Sequence, residues 1–189
     1  MKPLIIGFGN KARHGKDTAA QAIVDYYEKK KFYLSMAPGK VKEHVVNAVR
    51  IGFADDLYAV ACSEYGMKEK DAPLLQRIGA ERRVGDPEYW IKRAFTKINP
   101  THDIVVIPDV RYRNEAQYIK DAGGYLVNVS RLNADGTQYV DPSRPADHPS
   151  ETDLDSWNWD FKFVIGDGHA ALTGELAITL AEYLRGLRR

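Results

Sequence analysis

LIIGFGNKARHGKDT, residues 4–18, runs from an apolar stretch through a glycine-bearing loop into a helical pattern. Leu4, Ile5, Ile6 and Phe8 form a short apolar run, the pattern of a buried strand, and Gly7, Gly9 and Asn10 mark its end. Residues 18–31 then carry Ala19, Ala22, Ile23, Tyr26 and Tyr27 at helical spacing, with Lys29, Lys30 and Lys31 where cations suit a helix C-terminus. Strand, loop and helix in that order are the setting in which GxxxxGK[ST] binds phosphate. A ring of backbone N–H groups and the positive end of the helix both face the anion. Residues 10–18 depart from that pattern twice. Asn10 stands at the first glycine, and Asn is the next residue best able to take a left-handed conformation. Asp17 stands where a Mg²⁺-binding Ser or Thr is expected, with Thr18 next. Lys16 supplies a point charge for the outer phosphates. The candidate donor contacts are therefore Asn10, Lys11, Ala12, Arg13, His14, Gly15, Lys16, Asp17 and Thr18. A plain strand-to-helix turn with a surface lysine is the competing reading, and the order of elements argues against it.

The rest of the chain repeats the alternation. Further strands are expected over 49–53, 103–109 (DIVVIPD), 125–130 and 161–165. Helices are expected from Asp55 or Asp56 as cap to about residue 65, over 71–84, after Asp86 as cap with Pro87 in the first turn, over 114–122, and over 172–187. Residues 32–46, with Pro38 and Gly39, read as an irregular excursion, and residues 132–159 as a polar, lid-like loop. Strands alternating with helices imply an α/β three-layer sandwich, a mostly parallel sheet covered on both faces, in a single domain spanning 1–189. Ligands in such sheets bind beyond the carboxyl ends of the strands.

Composition sets outer bounds. The chain has 189 residues, 44% hydrophobic and 28% charged, with a net charge of +1. A chain of this size buries roughly 70% of its unfolded surface, so it needs no staple. Cys62 is the one cysteine, which rules out an intrachain disulfide and fits a reducing compartment. The charge balance argues against binding a nucleic-acid polymer. No run approaches membrane-spanning length, so a cytoplasmic protein is expected.

Asp109 ends the 103–109 strand, and an acid there beside a phosphate loop is the arrangement that holds Mg²⁺ or its water. Asp17 and Asp109 are the candidate metal ligands. A strand-ending Asp also commonly caps the next turn. Arg13, Arg82, Arg83, Arg111, Arg113 and Arg131 form an arginine set, and guanidinium groups stabilise charge spread over a transferring phosphoryl group. Arg13 and Arg111 follow strand ends, so they join Lys16 and Asp109 as candidate catalytic residues. A kinase whose acceptor is itself a phosphate needs more arginines than a hydrolase does. Trp90 and Tyr89 could stack on a base, with a core role at least as fitting.

At this point the chain resembles the phage-type deoxynucleoside monophosphate kinases, a branch of the P-loop nucleotide kinases. The resemblance rests on GNKARHGKDT, FADDLYAVA, LLQRIGAERR, DPEYWIKRA, IPDVRYRNEAQYIKDAGG, VSRL, DHPSETDLD and FKFVIGDG, in that order from Ile5 to about Gly168. It implies ATP and Mg²⁺ as cofactors and a deoxynucleoside monophosphate as acceptor. It implies ATP contacts from Arg13, Gly15, Lys16, Asp17, Thr18 and Arg131. Acceptor contacts are implied from Leu57, Tyr58, Gln76, Arg83, Trp90, Arg111, Asn114, Glu115, Ser150 and Glu151. Tyr58 stands where the family's segment has a lysine, which implies weaker binding of the acceptor phosphate unless Lys40, Lys42 or Arg50 substitutes. The 32–46 excursion could cover the acceptor site or make a subunit contact, which leaves a homodimer open. A phage source, and with it a host cytoplasm, follows from the resemblance alone.

The expected reaction is in-line transfer of the γ-phosphate, with Mg²⁺ bridging the β and γ oxygens and no general base, because an acceptor phosphate is already ionised. The alternatives are a P-loop kinase for another small metabolite and a non-catalytic nucleotide-binding regulatory protein. Arginines near the strand ends favour the kinase.

Overall fold

Five apolar runs pair into one parallel sheet: β1 (Leu4–Gly9), β2 (Ala48–Arg50), β3 (Ile104–Val110), β4 (Tyr125–Arg131) and β5 (Phe161–Ile165), in the order β2-β3-β1-β4-β5. The computed structural model describes residues 2–36, 45–143 and 145–188. Helices α1 (Lys16–Met36), α2 (Ala54–Tyr65), α3 (Ala72–Gly85), α4 (Tyr89–Thr96), α5 (Arg113–Asp121), α6 (Pro149–Thr152) and α7 (Ala170–Gly186) complete the chain.

Alternate residues of the central strands feed two cores, as the two-residue period of a strand requires. Leu4, Ile6 and Phe8 of β1 pack with Ala19, Ala20 and Ile23 of α1 and with Ala177, Ala181 and Leu184 of α7. Ile5, Val105 and Ile107 face the other way, against Ile91 and Ala94 of α4 and Ala116 and Ile119 of α5. A third cluster, Val60, Ala61, Leu75, Ile78 and Trp90, joins α2, α3 and α4. The α2–α4 group is thereby set at the carboxyl edge beside β3, opposite the loop that follows β1. Gly9 lies against the end of the 132–159 loop. A Cβ there would come within 2.3 Å of the Trp159 ring, so a side chain at this position would push the two apart.

Several boundaries differ from the sequence reading. Helix α1 starts at Lys16 and runs through 32–36, the first part of the expected excursion. The rest of that excursion, with Lys40 and Lys42, lies outside the described residues apart from 45–46. β2 is three residues long, starts one residue before the expected 49–53 span and ends three residues short of its end. Neither Asp55 nor Asp56 caps α2. Both sit in its first turn, and the Asp55 carboxylate accepts from Gly52 N at 2.7 Å. Asp86 is not the cap of α4, which begins three residues later; its carboxylate accepts from Glu88 N at 3.0 Å in the preceding turn. The described residues of 132–159 are irregular apart from α6 and an isolated bridge between Leu132 and Gln138. No helix among the described residues is long and apolar enough to cross a membrane.

Candidate active site

The loop after β1 is held open by backbone conformation and by anchors far along the chain. Asn10 (φ 105°), Arg13 (φ 58°) and Gly15 (φ 96°) take left-handed conformations, which L-residues resist and Asn and Gly resist least. The Asn10 amide nitrogen lies within reach of Asn128 Oδ1 (3.1 Å), Val129 O (3.2 Å) and Ser130 Oγ (2.9 Å), which bind the turn to the end of β4. His14 is buried under the loop. Its Nδ1 lies 3.3 Å from Arg131 N and 3.2 Å from Val129 O, and its Nε2 lies 2.9 Å from Tyr139 O. Burial keeps this imidazole below its ordinary pKa and therefore neutral. The His14 ring thus ties the loop to Val129, Arg131 and Tyr139. The Lys16 ammonium is buried and donates to the Lys11 carbonyl. Burial, helped by the nearby Arg111 charge, lowers its pKa to about 7.

One carboxylate ties this loop to Arg111. Glu151 on α6 accepts from Ala12 N (2.8 Å) through Oε2 and from the Arg111 guanidinium (2.6 Å) through Oε1, and its carbonyl accepts from Lys11 Nζ (2.9 Å). Its side chain is 5% exposed. Glu151 is an expected acceptor contact, and in the structure both of its carboxylate oxygens are bonded within the protein. Arg111 also donates to Ser150 O at 3.3 Å.

Two cavities meet in front of these groups, each about 500 Å³. The first cavity is floored by Ala12, Gly15 and Lys16 and edged by Arg13, Thr18 and Ser143. The second is larger in lining and partly apolar, with Phe53, Leu57, Leu75 and Trp90 facing Arg50, Arg83 and Tyr112. Asp17, Lys70, Ala72 and Arg111 line both. Tyr58, Gln76, Glu115 and Ser150 also reach the second cavity. Arg83 is held there by Glu115 (3.2 Å) and lies 4.3 Å from the Tyr112 ring centroid. Glu115 further accepts from Arg111 N (2.8 Å) and Tyr112 N (3.1 Å). Burial outweighs these partners and raises its carboxyl to about 7. Trp90 is buried in the third cluster, lines the second cavity and donates its indole N–H to Gly79 O at 3.2 Å.

Other expected residues stand apart from both linings. Asn114 donates to Pro87 O (2.8 Å) and fixes the α3–α4 connection to the start of α5. Arg131 lies 4.5 Å from the Tyr139 ring centroid and 3.6 Å from Asp167, behind the loop. Arg82 and Arg113 face outward onto Glu64 and Asp153. Arg13 is at the first cavity and reaches Asp141 of the 132–159 loop at 3.3 Å. Lys70, Ala72 and Tyr112 were not singled out by sequence reasoning. Lys70 sits in a polar loop with no local signal, and only the packing of α3 brings it to the site.

The metal candidates divide. The Asp109 carboxylate is buried and accepts from Phe53 N (2.9 Å) and Ala54 N (2.7 Å), so it caps α2 from across the sheet, and burial raises its pKa despite those bonds. Asp17 is 80% exposed at the meeting of the cavities, with Arg50 at 3.3 Å. Among the described residues no cluster of three or more His, Cys, Asp or Glu could hold a metal on its own. That donor set suits a cation bound mainly by phosphate oxygens and water, with Asp17 and Thr18 as protein contacts.

A phosphate loop after the first strand, opening a helix beneath a parallel β2-β3-β1-β4-β5 sheet, defines the P-loop kinase fold, and the chain has it. A kinase-assigned protein of Chloroflexus aurantiacus shares the fold at TM-score 0.52, with 9% identity over 98% of this chain and 97% of that one. The APS kinase of Mycobacterium tuberculosis aligns at TM-score 0.47, with 12% identity over 96% and 98% of the two chains. In sequence the chain resembles a protein of Acanthamoeba polyphaga mimivirus assigned as a deoxynucleotide monophosphate kinase, at 42% identity over 69 residues. That stretch is 35% of this chain, and it spans 30% of the length of the relative. No protein-family model matches the chain.

Proposed function

We propose that the protein transfers the γ-phosphoryl group of ATP to the 5′-monophosphate of a deoxynucleoside, giving the diphosphate and ADP. The observation that carries this reading is the pair of cavities meeting at Arg111, one floored by the phosphate loop and the other combining apolar walls with arginines. A hydrolase or a switch needs only the first. The mimivirus relative supports the deoxynucleotide as acceptor.

The chain's residues divide the work. Backbone N–H groups of residues 13–18 and Lys16 hold the donor phosphates. Arg83 and Arg50 draw the acceptor phosphate, while Phe53, Leu57, Leu75 and Trp90 enclose its base and sugar. An acceptor phosphate oxygen forms a bond to the γ-phosphorus as the bond to the β-bridging oxygen breaks, and that electron pair leaves with ADP. No proton has to move, because the acceptor phosphate is already ionised. Arg111 faces both cavities and balances charge on the equatorial oxygens. Mg²⁺, when bound with the phosphates, neutralises their charge, and Asp17 and Thr18 are the residues that fit it. Asp109 acts on the site through the position of α2.

ADP release from ATP, measured with and without each of the four deoxynucleoside monophosphates and their ribonucleotide counterparts, tests the reading. At least one deoxynucleotide should raise turnover well above the rate with ATP alone. Rates no higher with any of the four than with ATP alone would exclude the proposed acceptor class.

A further inference from the structure

The cations lining the two cavities differ in what they are already holding. Arg13 faces Asp141 at 3.3 Å, Arg83 faces Glu115 at 3.2 Å, and Arg111 faces Glu151 at 2.6 Å. Arg50 is shared between Asp55 (3.0 Å) and Asp17 (3.3 Å). Lys16 is buried and donates to the Lys11 carbonyl. Lys70 is the exception. It lines both cavities, its side chain is exposed, and it has no carboxylate partner among the described residues. Its recorded contact is with the face of the Tyr58 ring, 6.0 Å from the centroid, inside the second cavity.

The cost of moving a charge depends on what it must leave. The paired guanidinium groups would each have to break an ion pair to follow a migrating phosphoryl group. A lysine is a compact charge on a flexible stem, and Lys70 gives up only a weak contact with an aromatic face at an exposed position. It is rooted one residue before Asp71, whose carboxylate accepts from Leu74 N (2.9 Å) and fixes the start of α3. Ala72, in that first turn, lines both cavities as well. The root of the side chain is therefore fixed while its tip is not.

We propose that Lys70 is a catalytic residue of the transfer: its ammonium group contacts the phosphoryl oxygens between the two cavities and stays with them from donor to acceptor. This rests on the reading of the site as a phosphotransferase. The difference from Arg111 is one of task. Arg111 is a fixed charge, and Lys70 is a mobile one that closes onto the bound pair of nucleotides.

Lys70→Ala and Lys70→Arg test it, once wild-type enzyme has been shown to turn over an acceptor. Lys70→Ala should lower kcat by about 10- to 100-fold, the size expected for one charged hydrogen bond made in the transition state. Its melting temperature and its affinity for ADP alone, which occupies only the donor cavity, should match wild type. A dinucleotide analogue in which a phosphate chain joins both nucleotides should bind Lys70→Ala more weakly, and Lys70→Arg should fall between the two. A kcat within about twofold of wild type in Lys70→Ala would overturn the proposal. So would a loss matched by an equal loss of ADP binding, which marks a disturbed fold. Wild-type protein without turnover on any acceptor overturns the underlying kinase reading instead.

Discussion

Lys16 carries its ammonium group into a place where burial disfavours charge, and its pKa falls to about 7. The arrival of a triphosphate reverses that balance. At pH 8 much of the free protein's Lys16 is neutral, whereas the complex needs it charged, so ATP binding should take up close to one proton per site. Calorimetry at pH 8 in two buffers of different ionisation enthalpy measures this directly. Lys16→Ala should abolish the uptake, and wild-type binding without proton uptake would contradict the assignment. The sign for stability follows from the same shift. Between about pH 7 and 10.5 the unfolded chain holds the proton that the ligand-free fold has lost, so Lys16's contribution makes the fold more stable as pH rises through that window. At this scale the sequence was most informative for Lys16 and Asn10. Their placement follows from immediate neighbours: the strand before the loop, the helix after it, and a left-handed turn that Asn tolerates.

The elements show where local reading stops. Helix α2 begins at Ala54, and the carboxylate that accepts its first N–H groups belongs to Asp109, at the end of β3. No signal near residue 54 could have revealed this, and Asp55, the nearest acid, bonds to Gly52 instead. Glu151 repeats the lesson on α6, a four-residue helix inside a segment that sequence marks only as polar. Its two oxygens join the phosphate loop to Arg111, groups 139 and 40 residues away along the chain. Glu151→Gln keeps the shape and removes the charge. It should cost about 1–3 kcal/mol of stability, read by urea unfolding, because Arg111 and Ala12 N lose a charged acceptor. It should also lower kcat/KM for ATP and acceptor together, since one anchor serves both sides. A change confined to the acceptor's KM would return Glu151 to the substrate contact that the sequence suggested.

The whole molecule is a parallel sheet whose strand order places β1 at the centre and β3 and β4 on either side of it. The alternation of strands and helices, and the site's place at the carboxyl edge, were legible because periodicity and burial belong to single elements. The acceptor side was less so. Its walls come from α2, α3, α4 and the ends of β3 and α5, brought together by tertiary packing, and Lys70 and Tyr112 enter it without any motif to announce them. The central claim is that the two cavities serve two nucleotides and that phosphate passes between them without reaching water. Incubation with ATP labelled at the γ-phosphate, in the presence of the deoxynucleotide that best stimulates ADP release, tests this most directly. The label should appear in the β-position of the deoxynucleoside diphosphate in step with ADP. Label released only as inorganic phosphate would contradict the account.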